Sequence, residues 1–334
     1  MKIIDPGLMT TVQDRGRCGY QKHGVSPSGA MDPIALELAN FLVGNEGTAA
    51  GLEMTIAGPT IEFQHDGLIS ICGADLSPAI ANLRLPTWRA IFVRAHSVLS
   101  FGATRWGCRS YLSVAGGVAV PEVMGSRSTY LRAGIGGFHG RALQAGDEVP
   151  VGSRNLASHA WLDAGASLSP MPFALSDHLV EPNDAVGLYQ TSKPVRVVTG
   201  PHHDLFDKQD RQTFLKQPFE VSPRSDRMGY RLSGPVLGSG ERAELVSSAV
   251  VMGSVQVPRG GEPIVLMADR QTTGGYPSIA QVAAVDLPTV AQLKPGDAIG
   301  FEAVTIEQAQ AALRAQREQL NAMEREVIRA PRGP

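Results

Sequence analysis

The chain has 334 residues, 43% of them hydrophobic, with a formal net charge of −2, which is length for two domains and apolar material for a core in each. Lys and Arg number 30 against 32 Asp and Glu, and no basic run is interleaved with aromatics, so no nucleic-acid partner is expected. No apolar run approaches the roughly 18 residues that span a bilayer, and the first residues hold no segment of leader length, so no membrane partner is expected and the cytoplasm is the expected location.

Cys18, Cys72 and Cys108 are too scattered for a disulfide framework or a zinc site, and no metal is expected. The 37 Gly and 23 Pro punctuate many short apolar runs, the signature of a mainly β protein with a few helices.

In chain order, Asp14-Arg15-Gly16-Arg17 is a glycine-broken turn carrying a carboxylate and two guanidiniums. Ser26-Pro27-Ser28-Gly29-Ala30-Met31 then leads to a helix with Asp32 as N-cap and Pro33 in its first turn, ended by Gly44-Asn45. A helix start of this kind favours an anion, and Asp14, Arg15, Ser28, Gly29 and Met31 are candidate substrate- or anion-binding residues. Strand-like runs follow at 60–63, 68–72, 90–93, 98–101 and 109–114, bounded by Gly, Pro or Asp, as in a meander or closed barrel. Arg127 and Ser128, in Gly125-Ser126-Arg127-Ser128-Thr129, extend the candidate anion site.

The first domain is assigned to residues 1–152. Residues 153–194 lose strand periodicity and read as a linker packed on the surface. The second domain, 195–303, opens on a strand at 195–198 and on His202-His203, for which a capping or core role is favoured over metal binding. A helix is expected over 205–215. Residues 304–334 form a long charged helix that begins with the capping box Thr305-Ile306-Glu307-Gln308, with Ile306, Leu313, Leu320 and Val327 as an apolar stripe packed on its own domain.

Three stretches of the two halves echo one another in the same order. Asp14-Arg15 resembles Asp226-Arg227, Ile71-Cys72-Gly73-Ala74-Asp75 resembles Leu266-Met267-Ala268-Asp269, and Leu143-x-x-Gly146-Asp147 resembles Leu293-x-x-Gly296-Asp297. This pattern implies a divergent duplication, with two similar domains turned toward a shared cleft.

The segment after the apolar run 264–267 changes abruptly to Asp269-Arg270-Gln271-Thr272-Thr273-Gly274-Gly275-Tyr276, which is how a strand ends in a site. Asp269 and Arg270 are expected on opposite sides of the chain, and Gly274 and Gly275 allow positive φ and close backbone approach, so that successive N–H groups can converge on an anion or an oxyanion. Asp269, Arg270, Thr273, Tyr276, Asp226 and Arg227 are the candidate catalytic residues, with Gly274 and Gly275 as substrate-binding neighbours. Four Asp-Arg dipeptides occur, at 14, 210, 226 and 269, where composition predicts about one. The one at 210 is expected on a solvated helix. Guanidiniums in the other three turns suit planar carboxylate, phosphate or carbamoyl-like groups, and pairing of each Asp with an Arg of another turn is the open alternative. No phosphate loop, nucleophile elbow or zinc-protease motif is present, and no Met-Lys-Met biotinylation sequence.

Taken together, Asp14-Arg15-Gly16-Arg17, Ser26 to Asp32, Leu52-Glu53-Met54-Thr55, Ala115-Gly116-Gly117-Val118, Gly125 to Thr129, Ser225 to Gly229 and Asp269 to Pro277 resemble the biotin-dependent carboxyltransferase-like family. That family takes in KipA-like proteins, 5-oxoprolinase C subunits, proteins labelled allophanate hydrolase subunit 2 and the matching part of urea carboxylase. The resemblance implies two tandem cyclophilin-like β-barrel domains. It also implies KipI-like and LamB/YcsF-like subunits as partners, a small-molecule amide substrate, and ATP-dependent opening of 5-oxoproline to glutamate by the complex. Further implied alternatives are carboxyl transfer to urea from biotin carried on another chain, and a non-catalytic module that binds a kinase inhibitor.

Overall fold

The computed structural model describes residues 1–155, 162, 171–180, 189, 193–238 and 245–329. The chain forms two compact units: Met1–Arg17 with Ser28–Gly187 and Gln319–Pro334, and Cys18–Pro27 with Leu188–Glu318. Both are mainly β.

In the first unit, β1 (Lys2–Asp5), β4 (Thr60–Glu62), β9 (Val98–Ser100), β6 (Ala79–Ile80) and β7 (Leu83–Arg84) form one antiparallel sheet in that spatial order. A second antiparallel sheet runs β11 (Phe173–Leu179), β8 (Arg89–Val93), β5 (Gly67–Asp75), β10 (Trp106–Val114), β3 (Gly51–Thr55), β2 (Thr10–Gln13). Ile3, Ile61 and Leu99 of the first sheet share a core with Leu52, Ile69, Ile91 and Leu112 of the second. Helix α1 (Pro33–Leu42) packs on β5 and β10, and Ser70 Oγ donates to Ala39 O. Because core lies on one face of β5 and α1 on the other, residues 67–74 are all buried, which is why the strand reads as an unbroken apolar run and not as an alternation. Asp32 caps α1 by accepting from Ala35 N at 3.1 Å, with Pro33 in the first turn, as expected.

In the second unit, β12 (Val195–Thr199), β13 (Phe219–Val221), β14 (Gly229–Ser233), β16 (Ser254–Gln256), β17 (Ile264–Leu266), β19 (Ser278–Val282), β20 (Ala298–Ile299) and β21 (Phe301–Ala303) form one sheet, ordered β20-β13-β14-β17-β16-β19-β12-β21. Its two edge strands, β20 and β21, are separated in the chain by Gly300 alone. One bent segment therefore pairs with β13 on one side and β12 on the other, which nearly closes the sheet into a barrel. Phe214 of α2 (Lys208–Lys216) stacks on Phe301 with ring centroids 4.5 Å apart. A two-stranded ribbon, β15 (Ser248–Ala249) with β18 (Thr273–Gly274), stands beside the barrel sheet. Helix α3 (Leu287–Ala291) belongs to this unit, as does α4 (Ile306–Arg329) up to Glu318, while the rest of α4 is counted with the first unit.

Four sequence expectations change. The stretch read as a linker contains β11, an edge strand on β8, whose Phe-Ala-Leu-Ser-Asp-His-Leu sequence does not alternate cleanly. The helix expected over 205–215 starts at Lys208, because Asp207 accepts from Asp210 N and caps it there. The Asp-Arg pair at 210 is not simply solvated: Asp210 accepts from Gly238 N at 2.7 Å and Arg211 Nε donates to Phe206 O. In α4 the capping box forms, with Thr305 N donating to Gln308 Oε1 and Gln308 N to Thr305 Oγ1; of the stripe, Leu320 is buried as expected, but Ile306 and Leu313 are exposed. Gln316 is buried as well, its Nε2 donating to Val285 O; Val327 lies outside the described side chains.

The third sequence echo is realised bond for bond. Asp147 and Asp297 each accept, through Oδ2, from the backbone N–H three residues earlier, Gln144 and Lys294. Gly146 and Gly296 stand at φ 89° and 90° and donate to Ile3 O and Val221 O, whose own N–H groups donate to Asp147 O and Asp297 O. The second echo is not repeated in contacts: Asp75 pairs with Arg84, whereas Asp269 pairs with Arg227.

Candidate anion-binding site

In the first unit, Asp14 follows β2 and is nearly buried. Its carboxylate accepts from Gly16 N, Ser126 Oγ, Ser128 Oγ and Arg127 N, and Asp14 N donates to Ser128 Oγ at 3.0 Å. Four donors saturate it, so Asp14 ties the 126–128 turn to the end of β2. Arg15 reaches Glu37 of α1 at 3.0 Å, and Arg127 reaches Glu122 at 2.9 Å and Val120 O at 3.0 Å. Ser28 and Met31 are buried, and Ser28 stands at φ 53°. Gly29 has φ 88°, and a Cβ on it would meet Gly16 N at 2.9 Å, so the close approach of the two turns requires glycine.

The start of α1, expected to favour an external anion, holds one of the protein's own. Glu53 of β3 accepts from Met31 N and from Tyr111 Oη, both at 2.8 Å, and Asp32 N donates to Tyr111 Oη. Burial first, then the carboxylates of Glu53 and Asp32, push the Tyr111 phenol well above its usual range. Sequence reasoning named neither Glu53 nor Tyr111 as functional. The available signal was a glutamate flanked by Leu52 and Met54, in a strand that is buried throughout.

In the second unit, β17 ends in a turn over Met267–Arg270, closed by Arg270 N donating to Met267 O at 3.3 Å. Asp269 and Arg270 are not divided between an inner and an outer side, because the turn buries both. Asp269 forms a two-pronged pair with Arg227, Nε to Oδ2 and Nη2 to Oδ1, each 3.0 Å. Backbone bonds join the same segments, Asp269 N to Arg227 O and Met267 N to Met228 O. Asp226 is exposed and accepts from Met228 N and Gly229 N, which shapes the turn that presents Arg227. Ser26, buried, donates to Ala268 O at 3.2 Å beside these residues.

Arg270 differs from the other candidate arginines. It is 6% exposed, its Nη1 makes a long bond to Met267 O at 3.4 Å, and its Nε is buried without an acceptor among the described residues. Burial alone lowers its pKa, with no carboxylate acting to raise it. Arg15, Arg127 and Arg227 are each answered by an acid of the protein; Arg270 is answered by a carbonyl. A buried guanidinium in this state is suited to a planar anion brought by a ligand.

Thr273 and Gly274 lie in β18, paired with β15, and Tyr276 is half exposed. Gly274 and Gly275 do not use the positive φ that glycine allows. They are small for reasons of space: a Cβ at Gly274 would stand 2.7 Å from Gln256 Nε2, and one at Gly275 3.1 Å from Leu245 O. Gln256 Nε2 donates to Tyr276 O at 3.3 Å, fixing the segment. His202 Nδ1 accepts from Ser278 N at 3.2 Å, which gives that histidine a capping role at β19.

Residues 23–303 match the family described as "Carboxyltransferase domain, subdomain A and B". The chain is 39% identical over 311 residues to the C subunit of the 5-oxoprolinase of Escherichia coli strain K12, covering 92% of this chain and 93% of that protein. It is 33% identical over 322 residues to the urea amidolyase of Lachancea kluyveri, covering 92% of this chain and 17% of that much longer protein. The crystal structure of the K. lactis urea amidolyase superposes with a TM-score of 0.83 at 31% identity, over 96% of this chain and 20% of that one. No helix among the described residues is long and apolar enough to cross a membrane. With the family match running through both units and relatives aligned over nine-tenths of the sequence, the chain belongs to the carboxyltransferase-domain family, subdomains A and B.

Proposed function

We propose that this chain is the C subunit of an ATP-dependent 5-oxoprolinase complex that opens the lactam of 5-oxoproline to glutamate. The observation that carries the reading is Arg270, a buried guanidinium with a free Nε and no acid beside it, in a relative of 5-oxoprolinase C subunits that align over nearly their full length. The substrate's carboxylate is the planar anion that would satisfy it. Arg227 and Asp269 hold the turn that aims Arg270, and Thr273 and Tyr276 are exposed on the segment that follows. Glu53 already fills the helix start where a phosphate would otherwise sit, so the nucleotide is assigned to the complex as a whole. The partners in this reading are one KipI-like and one LamB/YcsF-like protein.

The similarity to urea amidolyases supports a second reading, carboxyl transfer to urea from biotin carried on another chain. Co-expression with the two partner proteins, followed by ADP release with 5-oxoproline and with urea, separates them. The first reading expects 5-oxoproline-dependent release with no biotinylated protein present. Release only with urea and a biotin carrier overturns it.

A further inference from the structure

Away from these residues, the first unit contains a cavity of about 690 Å³ that no part of the proposed chemistry uses. Its volume is far beyond what a five-membered lactam fills and lies in the range of small-molecule sites. One wall is the loop Gly134-Ile135-Gly136-Gly137-Phe138-His139-Gly140, in which Gly134, Gly136, Gly137, His139 and Gly140 all have positive φ. His139 holds φ 56° without being glycine, a conformation that persists only where surroundings impose it. The surroundings are tight: a Cβ on Gly137 would stand 1.9 Å from Thr129 Oγ1. Gly137 N donates to Arg127 O and Gly140 N to Gly136 O, which fixes the loop. The N–H groups of Gly136, Phe138 and His139 find no acceptor among the described residues.

The opposite lining is apolar, with Val120, Val123 and Pro150, while Ile135 and Phe138 supply apolar surface from the loop itself. Glu148 and His139 are the ionisable side chains in the lining. Of the arginines next to it, Arg127 is engaged by Glu122 and Arg141 by Asp147, while Arg17 donates to Val123 O and Ser128 O. A polyanion would meet the Glu148 carboxylate in the lining itself, which disfavours it. What fits is a flat apolar body with acceptors for the loop's N–H groups and a donor, N–H or hydroxyl, for Glu148.

We propose that this cavity is a binding site for a neutral, flat heterocycle of nucleoside size, separate from the site of Arg270. Its ring lies against the apolar lining of Val120, Val123 and Ile135, its acceptors take hydrogens from the 136–139 backbone, and Glu148 accepts from its amino or hydroxyl group. This inference does not depend on the 5-oxoprolinase reading.

The test is calorimetric titration of the full chain with adenosine and with uridine. Saturable binding of at least one is expected, weakened fivefold or more by Glu148→Gln and abolished by Val123→Trp, which projects an indole into the cavity. The 5′-monophosphate should bind no tighter than its nucleoside. Absence of saturable binding for both nucleosides, or affinity unchanged by Glu148→Gln in a variant with unaltered thermal melting, overturns the proposal. Should Val123→Trp fail to fold, the Glu148→Gln result decides alone.

Discussion

Arg227 and Asp269 have side chains 3% and 5% exposed and share two 3.0 Å bonds. Removing one partner leaves the other's charge buried and unanswered, so Arg227→Ala should cost about 3–5 kcal/mol of stability in urea denaturation. Arg270→Ala removes a charge that is already unanswered and should leave stability nearly unchanged, or raise it, while 5-oxoproline turnover by the assembled complex collapses. A loss of stability at Arg270 equal to that at Arg227 would show that its role is structural. Residue type and glycine-bearing context singled out Arg15, Arg127, Arg227 and Arg270 in the sequence. Which of them lacks an acid was not legible, because Glu37, Glu122 and Asp269 reach them from 22, 5 and 42 positions away, respectively, in the numbering. Glu53 and Tyr111 were hidden for the same reason: their contact joins adjacent strands 58 positions apart.

At the scale of elements, the two Leu-x-x-Gly-Asp turns carry the clearest consequence of the internal repeat. Gly146 and Gly296 have open space where a Cβ would stand, so alanine at either meets only the cost of left-handed backbone. Both substitutions should destabilise by the same amount, about 1–2 kcal/mol, and unequal costs in thermal melts would argue against equivalent turns. In the first turn, hydrogen bonds from Arg141 hold the Asp147 carboxyl below the usual Asp range. A pKa lowered by folding gives stability that is complete above the ordinary Asp value, about 3.9, and is lost as pH falls through the lowered folded value. Because Arg141 is a third exposed, the effect at neutral pH should be under about 1 kcal/mol. Arg141→Ala and the unaltered protein should therefore differ at pH 7 and converge toward pH 2. The sequence made such turns and the α1 and α4 caps legible because cap and turn chemistry is local: Asp32, Thr305 and Gln308 act within three residues. It concealed β11, β15 and β18, whose pairing is set by partners distant in the chain and not by an alternating pattern.

For the molecule as a whole, near closure of the second sheet rests on one bent segment at Gly300, a feature that no local motif announces. The mainly β architecture was legible from the density of glycine, proline and short apolar runs. Family membership follows from motifs spread over both units and is carried by the match over residues 23–303. Its relatives include 5-oxoprolinase C subunits and urea amidolyases, and on the proposed reading Arg270 would distinguish the two substrates, because 5-oxoproline carries a carboxylate and urea does not. The direct measurement is kcat/KM of the assembled complex for 5-oxoproline and for 2-pyrrolidinone, the same lactam without its carboxylate, with Arg270 and with Arg270→Ala. The unaltered complex should prefer 5-oxoproline by 100-fold or more, on the order of the 3 kcal/mol of a charge-assisted pair, and Arg270→Ala should erase most of that preference. A preference that survives the substitution intact would contradict the assignment of Arg270 to the substrate's carboxylate.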